Sequence, residues 1–268
     1  MRSGKRPPIR RAGHVLVAAS AVFATLAGCA SPQQQAEARQ ARAAERTLDR
    51  IGSIGDPGRV AAADFAFARM AREQGQWTAF REYAAPAAVI HGQAGPLDVR
   101  EWLSGRADPE RSVAWEPSAV WASCDGTQAV SIGRFNAPAG IVGDYVTVWE
   151  LQADRSYLWV YDIAVPDDPQ PPAPPPPEER QEGDIVVEGL RSIDGRVADC
   201  PQEGIPLPPP PQAAIEEGAR VGGSSSRDGS LGWTWVHTPA GLREVTVLWY
   251  REGRWQRAYD LSVPPASE

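Results

Sequence analysis

Between Asp167 and Arg180 the chain carries the run Pro-Pro-Ala-Pro-Pro-Pro-Pro at positions 171–177. Each proline fixes φ and lacks a backbone donor, so neither a helix interior nor an inner β-strand can pass through this stretch. It is read as an extended, semi-rigid spacer of about 3.1 Å per residue. The run therefore splits the chain into a unit ending near Pro166 and a second one beginning near Asp184, with residues 167–183 as the linker. A second tract, Pro206–Pro211, interrupts the later unit.

Before the linker the pattern begins helical and becomes alternating. Phe67, Met70 and Ala71 lie at helical spacing, and Trp77, Phe80 and Ala84 form a second stripe after the break at Gly75. Ala87–His91 reads as a short strand. Gly95-Pro96 is expected to open a third helix carrying Val99, Trp102 and Leu103 on one face. Four strands are then expected over Val113–Ser123, Gln128–Phe135, Asp144–Leu151 and Tyr157–Val165. Turn residues at Asp125-Gly126, Pro138-Ala139-Gly140 and Asp154-Arg155 separate them. Beyond the linker, Asp184–Leu190 and Arg196–Cys200 look like strands, and Gly222–Ser226 reads as a flexible loop. A meander over Leu231–His237, Leu242–Tyr250 and Trp255–Val263 closes the chain. This meander echoes the earlier one. Pro138-Ala139-Gly140 recurs as Pro239-Ala240-Gly241, Val146-Thr147-Val148 as Val245-Thr246-Val247, and Tyr161-Asp162 through Val165-Pro166 as Tyr259-Asp260 through Val263-Pro264. Two explanations fit: duplication of part of a sheet, or the alternation and turn chemistry that all meanders share.

The amino terminus carries Arg2, Lys5, Arg6, Arg10 and Arg11, then an apolar stretch from Val15 to Leu26. At that length it suits the apolar core of an export signal, since crossing a bilayer takes about 20 residues. Leu26-Ala27-Gly28-Cys29 resembles the bacterial lipobox. The resemblance implies cleavage of residues 1–28 and acylation of Cys29, which anchors the mature chain in the cell envelope. By resemblance to enterobacterial sorting rules, Ala30 after the cysteine implies the outer membrane, facing the periplasm. Residues 29–58 read as a tether, since Gln33–Arg50, rich in Ala, Gln, Glu and Arg, has no apolar face to bury.

The whole chain has a net charge of −7, and removing the five positive charges of the signal leaves about −12. That balance argues against a nucleic-acid partner. Lys5 is the only lysine, so the mature chain has neither a Walker-type phosphate loop nor a Schiff-base lysine. No Gly-x-Ser-x-Gly elbow occurs. His91 and His237 are the only histidines after the signal, and no spacing of a metal-ligand set or cofactor motif accompanies them. In an oxidising compartment the remaining cysteines, Cys124 and Cys200, are expected to pair. The loop closed would hold about 75 residues, a constraint of about 4 kcal/mol in the chain-entropy account.

The order helix, helix, strand, helix, four-stranded meander resembles the nuclear-transport-factor-2-like superfamily, which includes SnoaL-like cyclases and ketosteroid isomerases. The residues carrying the resemblance are Gly133, Tyr145-Val146-Thr147-Val148-Trp149, Trp159 with Asp162, and Pro117 interrupting the first long strand. It covers residues 59–166. It implies an α+β fold in which a curved antiparallel sheet wraps on three helices as a cystatin-like cone, followed here by a small antiparallel β module over 184–268. It also implies homodimerisation across the sheet, and an Asp or His base with a Tyr or acid donor in an apolar cavity. His91, Asp162, Tyr83 and Asp64 are the candidates for such roles, each with an ordinary structural alternative. Trp102, Tyr145 and Trp149 are candidates for a ligand-lining wall. In the last meander Trp233, Trp235, Trp249 and Trp255 accompany Arg243, Arg251, Arg254 and Arg257. This set reads either as a stacking surface or as cross-strand packing. Three functions are compatible with these features: binding of a small apolar ligand or a protein partner without catalysis, isomerase or cyclase chemistry, and structural docking on the cell wall or another envelope protein.

Overall fold

Helix α1 (Pro57–Gln74) starts where Asp56 accepts hydrogen bonds from the backbone N–H groups of Gly58 and Arg59, with Pro57 in the first turn. Its buried stripe is Val60, Ala61, Asp64, Phe67, Ala68 and Ala71. Gly75 ends it, and α2 (Gln76–Tyr83) follows at once. The start of α2 is capped from a distance: Asp108 accepts from the N–H groups of Trp77 and Thr78 and from the Thr78 hydroxyl. The computed structural model describes residues 54–172, 192–202, 205–212 and 214–265. The expected signal, Cys29, most of the tether, the strand at 184–190 and most of the linker lie outside these residues.

The chain then forms β1 (Ala84–Gly92), β2 (Gly95–Asp98) and α3 (Val99–Trp102), followed by β3 (Ala114–Ala122), β4 (Gln128–Asn136), β5 (Val142–Leu151), β6 (Tyr157–Pro166) and β7 (Asp194–Val197). These strands make a seven-stranded sheet in the order β2-β1-β6-β5-β4-β3-β7. β8 (Arg220–Ser225), β9 (Leu231–His237), β10 (Arg243–Arg251) and β11 (Arg254–Val263) make a four-stranded sheet, β11-β10-β9-β8. The fold is α+β, with a large mixed sheet and few helices. All the described residues belong to one compact unit, Thr47–Glu268.

Four expectations change. The large sheet is mixed rather than antiparallel, because β1 pairs in parallel with β6 and β7 with β3. The third helix shrinks to a single turn: Gly95–Asp98 pairs with β1, and Asp98 caps the turn by accepting from Glu101 N–H. The later strand lies at Asp194–Val197 instead of 196–200, and it joins the first sheet rather than the C-terminal module. The Gly/Ser stretch, read as a loop, is strand β8. Its glycines serve close approach: a Cβ on Gly222 would lie 2.5 Å from Trp235 Nε1, and one on Gly223, whose φ is +147°, would lie 2.1 Å from the Trp233 carbonyl oxygen.

The two sheets share a core. One face of the large sheet packs through Ala88, Val120, Ala122, Ala129, Trp149 and Trp159 on Val60, Phe67 and Ala71 of α1. Its other face contributes Ala119, Trp121, Val130, Val146, Val148, Tyr161 and Ile163 to a layer completed by Leu231, Trp233, Val245, Val247 and Trp249 of the second sheet. The Cys124–Cys200 disulfide forms beside this layer, with a Cα–Cα distance of 5.0 Å. The adjoining segment is held by both sheets, since Ala198 N–H donates to Ala122 O and Asp199 N–H to Tyr250 O.

The echo in the sequence is a repeat in three dimensions. In the β3–β4 turn, Ser123 Oγ and Thr127 N–H both donate to Asp125. In the β8–β9 turn, Ser226 Oγ and Ser230 N–H both donate to Asp228. The β5–β6 register slips between Val148 and Trp149, opposite Tyr161, and the β10–β11 register slips between Val247 and Leu248, opposite Tyr259. The two Asp turns meet each other reciprocally. Asp125 N–H donates to Asp228 Oδ2 at 2.9 Å, and Asp228 N–H to Asp125 Oδ2 at 3.1 Å. Cys124 N–H donates to Ser230 Oγ, and Arg227 N–H to Thr127 Oγ1. Contact of residue i with j and of j with i is the pattern of a two-fold interface, here made within one chain. A shared bulge and a shared turn network go beyond generic meander chemistry and favour duplication.

Replacing Asp125 or Asp228 by Ala strips acceptors from both turns, and each is expected to cost about 1–3 kcal/mol in urea unfolding. The double variant is expected to cost less than the two single losses together, by about 0.5 kcal/mol or more, because the turns hold each other. Strict additivity would show that they act independently.

Candidate functional site

Inside the first half, Asp64 projects from the middle of the apolar stripe of α1 and is fully buried. It accepts from Trp115 Nε1 at 2.9 Å, Ser131 Oγ at 2.8 Å and Tyr145 Oη at 2.9 Å. Ser131 Oγ in turn accepts from Trp149 Nε1 at 2.9 Å. Burial pushes the Asp64 carboxyl up while these donors pull it down, and the net direction is up. Burial and the neighbouring Asp64 carboxylate raise the Tyr145 hydroxyl. Asp162 is half-buried on β6, accepts from Thr147 Oγ1 at 2.7 Å, and is pushed up to about 7, mainly by burial and also by Asp64. Gly133 lets the strands close over this network: a Cβ there would lie 2.0 Å from the Glu116 carbonyl oxygen and 2.8 Å from the Tyr145 ring.

The space between helices and sheet beside this network is filled by rings. Phe67 lies 4.9 Å from Phe80, 5.1 Å from Tyr83, 4.8 Å from Trp115, 6.2 Å from Trp149 and 6.5 Å from Trp159, centroid to centroid. Trp77 links Phe80 to Trp102, whose ring carries the Arg106 guanidinium at 4.2 Å. Of the residues singled out in the sequence, Asp64, Tyr145 and Trp149 thus converge on one hydrogen-bond network, and Asp162, bonded to Thr147, lies near enough for Asp64 to act on it. Tyr83 and Trp102 stand further out, in the aromatic chain.

His91 lies elsewhere. It is buried at 2% exposure and faces the second sheet. Its Nδ1 shares a hydrogen bond of 2.7 Å with Tyr161 Oη, and its Nε2 one of 3.0 Å with His237 Nδ1. Burial, His237, Arg243 and Arg220 push it down to about 4. His237 is also lowered, by burial first and then by the two arginines. The pairing of His91 with His237 was not legible in the sequence, where 146 residues separate them.

The tryptophans of the second sheet do not form an exposed row. Trp233 and Trp249 are buried in the inter-sheet core, Trp235 packs edge-on to His91 at 5.0 Å, and Trp255 donates from Nε1 to Pro208 O. That last bond ties the second proline tract across the sheet. Between tract and sheet lies an open trough of about 580 Å³, lined by Pro210, Pro211, Ile215, Val221, Val236 and Leu248, with Thr234, Thr246 and Arg257 among its polar members. Ile215 and Val221 are exposed. By the repeat, this face of the second sheet corresponds to the face of the first that α1 and α2 cover. Among the described residues no helix covers it.

The raised Asp162 sets the sign of a pH dependence. A carboxyl bound more tightly to its proton in the folded state contributes stability below its ordinary value of 3.8 that is lost as pH rises through about 7. Asp162→Asn keeps the neutral form. The stability of this variant minus that of the unmodified chain is expected to increase from pH 4 to pH 8 in denaturant titrations. A difference constant with pH would contradict the assignment.

No family model and no curated protein matches the chain. Among solved structures it is similar to a putative calcium/calmodulin-dependent kinase II association domain from Exiguobacterium sibiricum. The identity is 16% and the TM-score 0.31, covering 44% of this chain and all of that one. A likeness at that level assigns neither a fold nor an activity.

Proposed function

We propose that the protein is a lipoprotein of the bacterial cell envelope that binds a small apolar ligand without transforming it. In this reading Cys29 carries the lipid, the chain faces the periplasm from the outer membrane, and the first half is a nuclear-transport-factor-2-like cone. The observation that carries the binding role is the trough on the second sheet. Its volume of about 580 Å³ falls within the usual range for small-molecule sites, and its walls are mainly apolar with a few polar groups. Beside Asp64, by contrast, rings occupy the space and each donor of the network already has its acceptor, and the first half's opening of about 590 Å³ lies away from it, at Arg81, Val99, Arg100 and Leu103. The sheet face across which the superfamily resemblance implies dimerisation is covered by the second sheet of the same chain.

One observation favours a second reading, isomerase or cyclase chemistry in the cone. Asp162 is half-buried, titrates near neutrality, and shares its surroundings with Asp64 and Tyr145. That is the setting in which a carboxyl takes a proton from carbon.

Leu248→Asp and Val236→Asp place a charge in the trough, on a face away from the shared core. Each is expected to abolish binding of an apolar fluorescent probe such as 1-anilinonaphthalene-8-sulfonate while leaving the melting temperature within a few degrees of the parent. Probe binding that survives both changes would exclude the trough. The anchor is tested separately. Metabolic labelling with palmitate is expected to mark the full-length chain and to miss Cys29→Ala, and label retained in the variant would refute lipidation at Cys29.

A further inference from the structure

Arg243 opens β10 and is 7% exposed. A guanidinium cannot give up its proton in a protein, so this group is a fixed positive charge, largely covered by protein with its nitrogens at the solvent boundary. Among the described residues its side chain has no hydrogen-bond acceptor and no carboxylate partner. Asp64, for comparison, has three donors. The charged or titratable groups that Arg243 acts on are His91, His237 and Tyr161, none of them negative. Arg220 acts on the same two histidines.

The register explains the gathering. Arg220 pairs with His237 and His237 with Arg243, so the three occupy one row across β8, β9 and β10. His91 faces that row from β1. Arg220 is exposed and donates to Ala94 O at the β1–β2 turn, with its guanidinium against Gly95. The row therefore runs from an arginine largely covered by protein to one fully at the surface. The His237 ring is bonded to His91 through Nδ1, and its Nε2 has no partner among the described residues. In a chain with net charge −7, two arginines and two histidines meet here without an acid.

Two arginines gathered in one row without an acid repel one another, and an anion reaching them from solvent relieves that repulsion. We propose that the row Arg220–His237–Arg243 binds a small phosphate-class oxyanion, with Arg243 as its deep ligand and Arg220 at its mouth. Donors from three adjacent strands suit an acceptor with three or more oxygens, and guanidinium groups match phosphate geometry. The site is separate from the trough and from the Asp64 network, because its residues face the inter-sheet layer.

The test uses the full chain in phosphate-free buffer, with inorganic phosphate and glycerol 3-phosphate as two probes and sodium chloride at matched ionic strength as control. A saturable rise in melting temperature, with matching calorimetric binding, is expected from at least one probe. A response to inorganic phosphate indicates the free ion, and a response to glycerol 3-phosphate alone indicates an esterified one. Arg243→Leu is expected to lose the response and, without phosphate, to melt no lower than the parent, because it removes an uncompensated charge. Arg220→Leu, at an exposed position that leaves folding intact, is expected to weaken binding about tenfold or more. No probe exceeding the chloride control, or an unchanged response in Arg220→Leu, would overturn the proposal. So would Arg243→Leu retaining the response.

Discussion

The outer face of the large sheet carries Trp121, Val130, Val146, Val148, Tyr161 and Ile163, an apolar surface that water cannot be left to cover. The chain covers it with a second sheet whose own inner face carries the same kinds of residue in the same alternation. The reciprocal hydrogen bonds of Asp125 and Asp228 fix the register of one sheet on the other, and the Cys124–Cys200 bond pins the connecting segment beside them. Once that layer is formed, the remaining features take their places. The second sheet turns its other face outward beneath the proline tract, and the row Arg220–His237–Arg243 comes to rest opposite His91.

Much of the strand pattern was legible because period-two alternation and turn residues report a half-buried strand directly. Leu231–His237 has the expected limits, and the four strands of the first meander lie within two residues of theirs. What failed depended on partners distant in the chain. Gly222-Gly223 looked like a flexible loop because nothing local reveals that Trp233 and Trp235 lie against them. Gly95–Asp98 looked helical because Pro96 suits a first turn, whereas pairing with β1 decides the outcome. Parallel pairing leaves no short-range trace at all, so the places of β7 and of β1 beside β6 could not be read in advance.

The candidate site was legible in part for the same reason. Asp64 interrupts an apolar helical stripe, and Tyr145 and Trp149 share a strand face, so their meeting follows from periodicity once the helix is laid on the sheet. His91 sits on the strand beside this network but points to the opposite face, and its partners come from the second sheet. The proposed trough had no sequence signature. It arises because, among the described residues, the repeat copies the sheet without the helices that cover it.

The claim on which the account rests is that both sheets fold around one shared core. Native-state amide hydrogen exchange on the full chain tests it most directly, read at Val146 and Val148 in β5 and at Val245 and Val247 in β10. The account predicts that all four amides exchange through one common opening with the same free energy, and that reduction of Cys124–Cys200 lowers all four together. Exchange of the β10 amides through a separate opening of much lower free energy, with β5 unaffected, would contradict it.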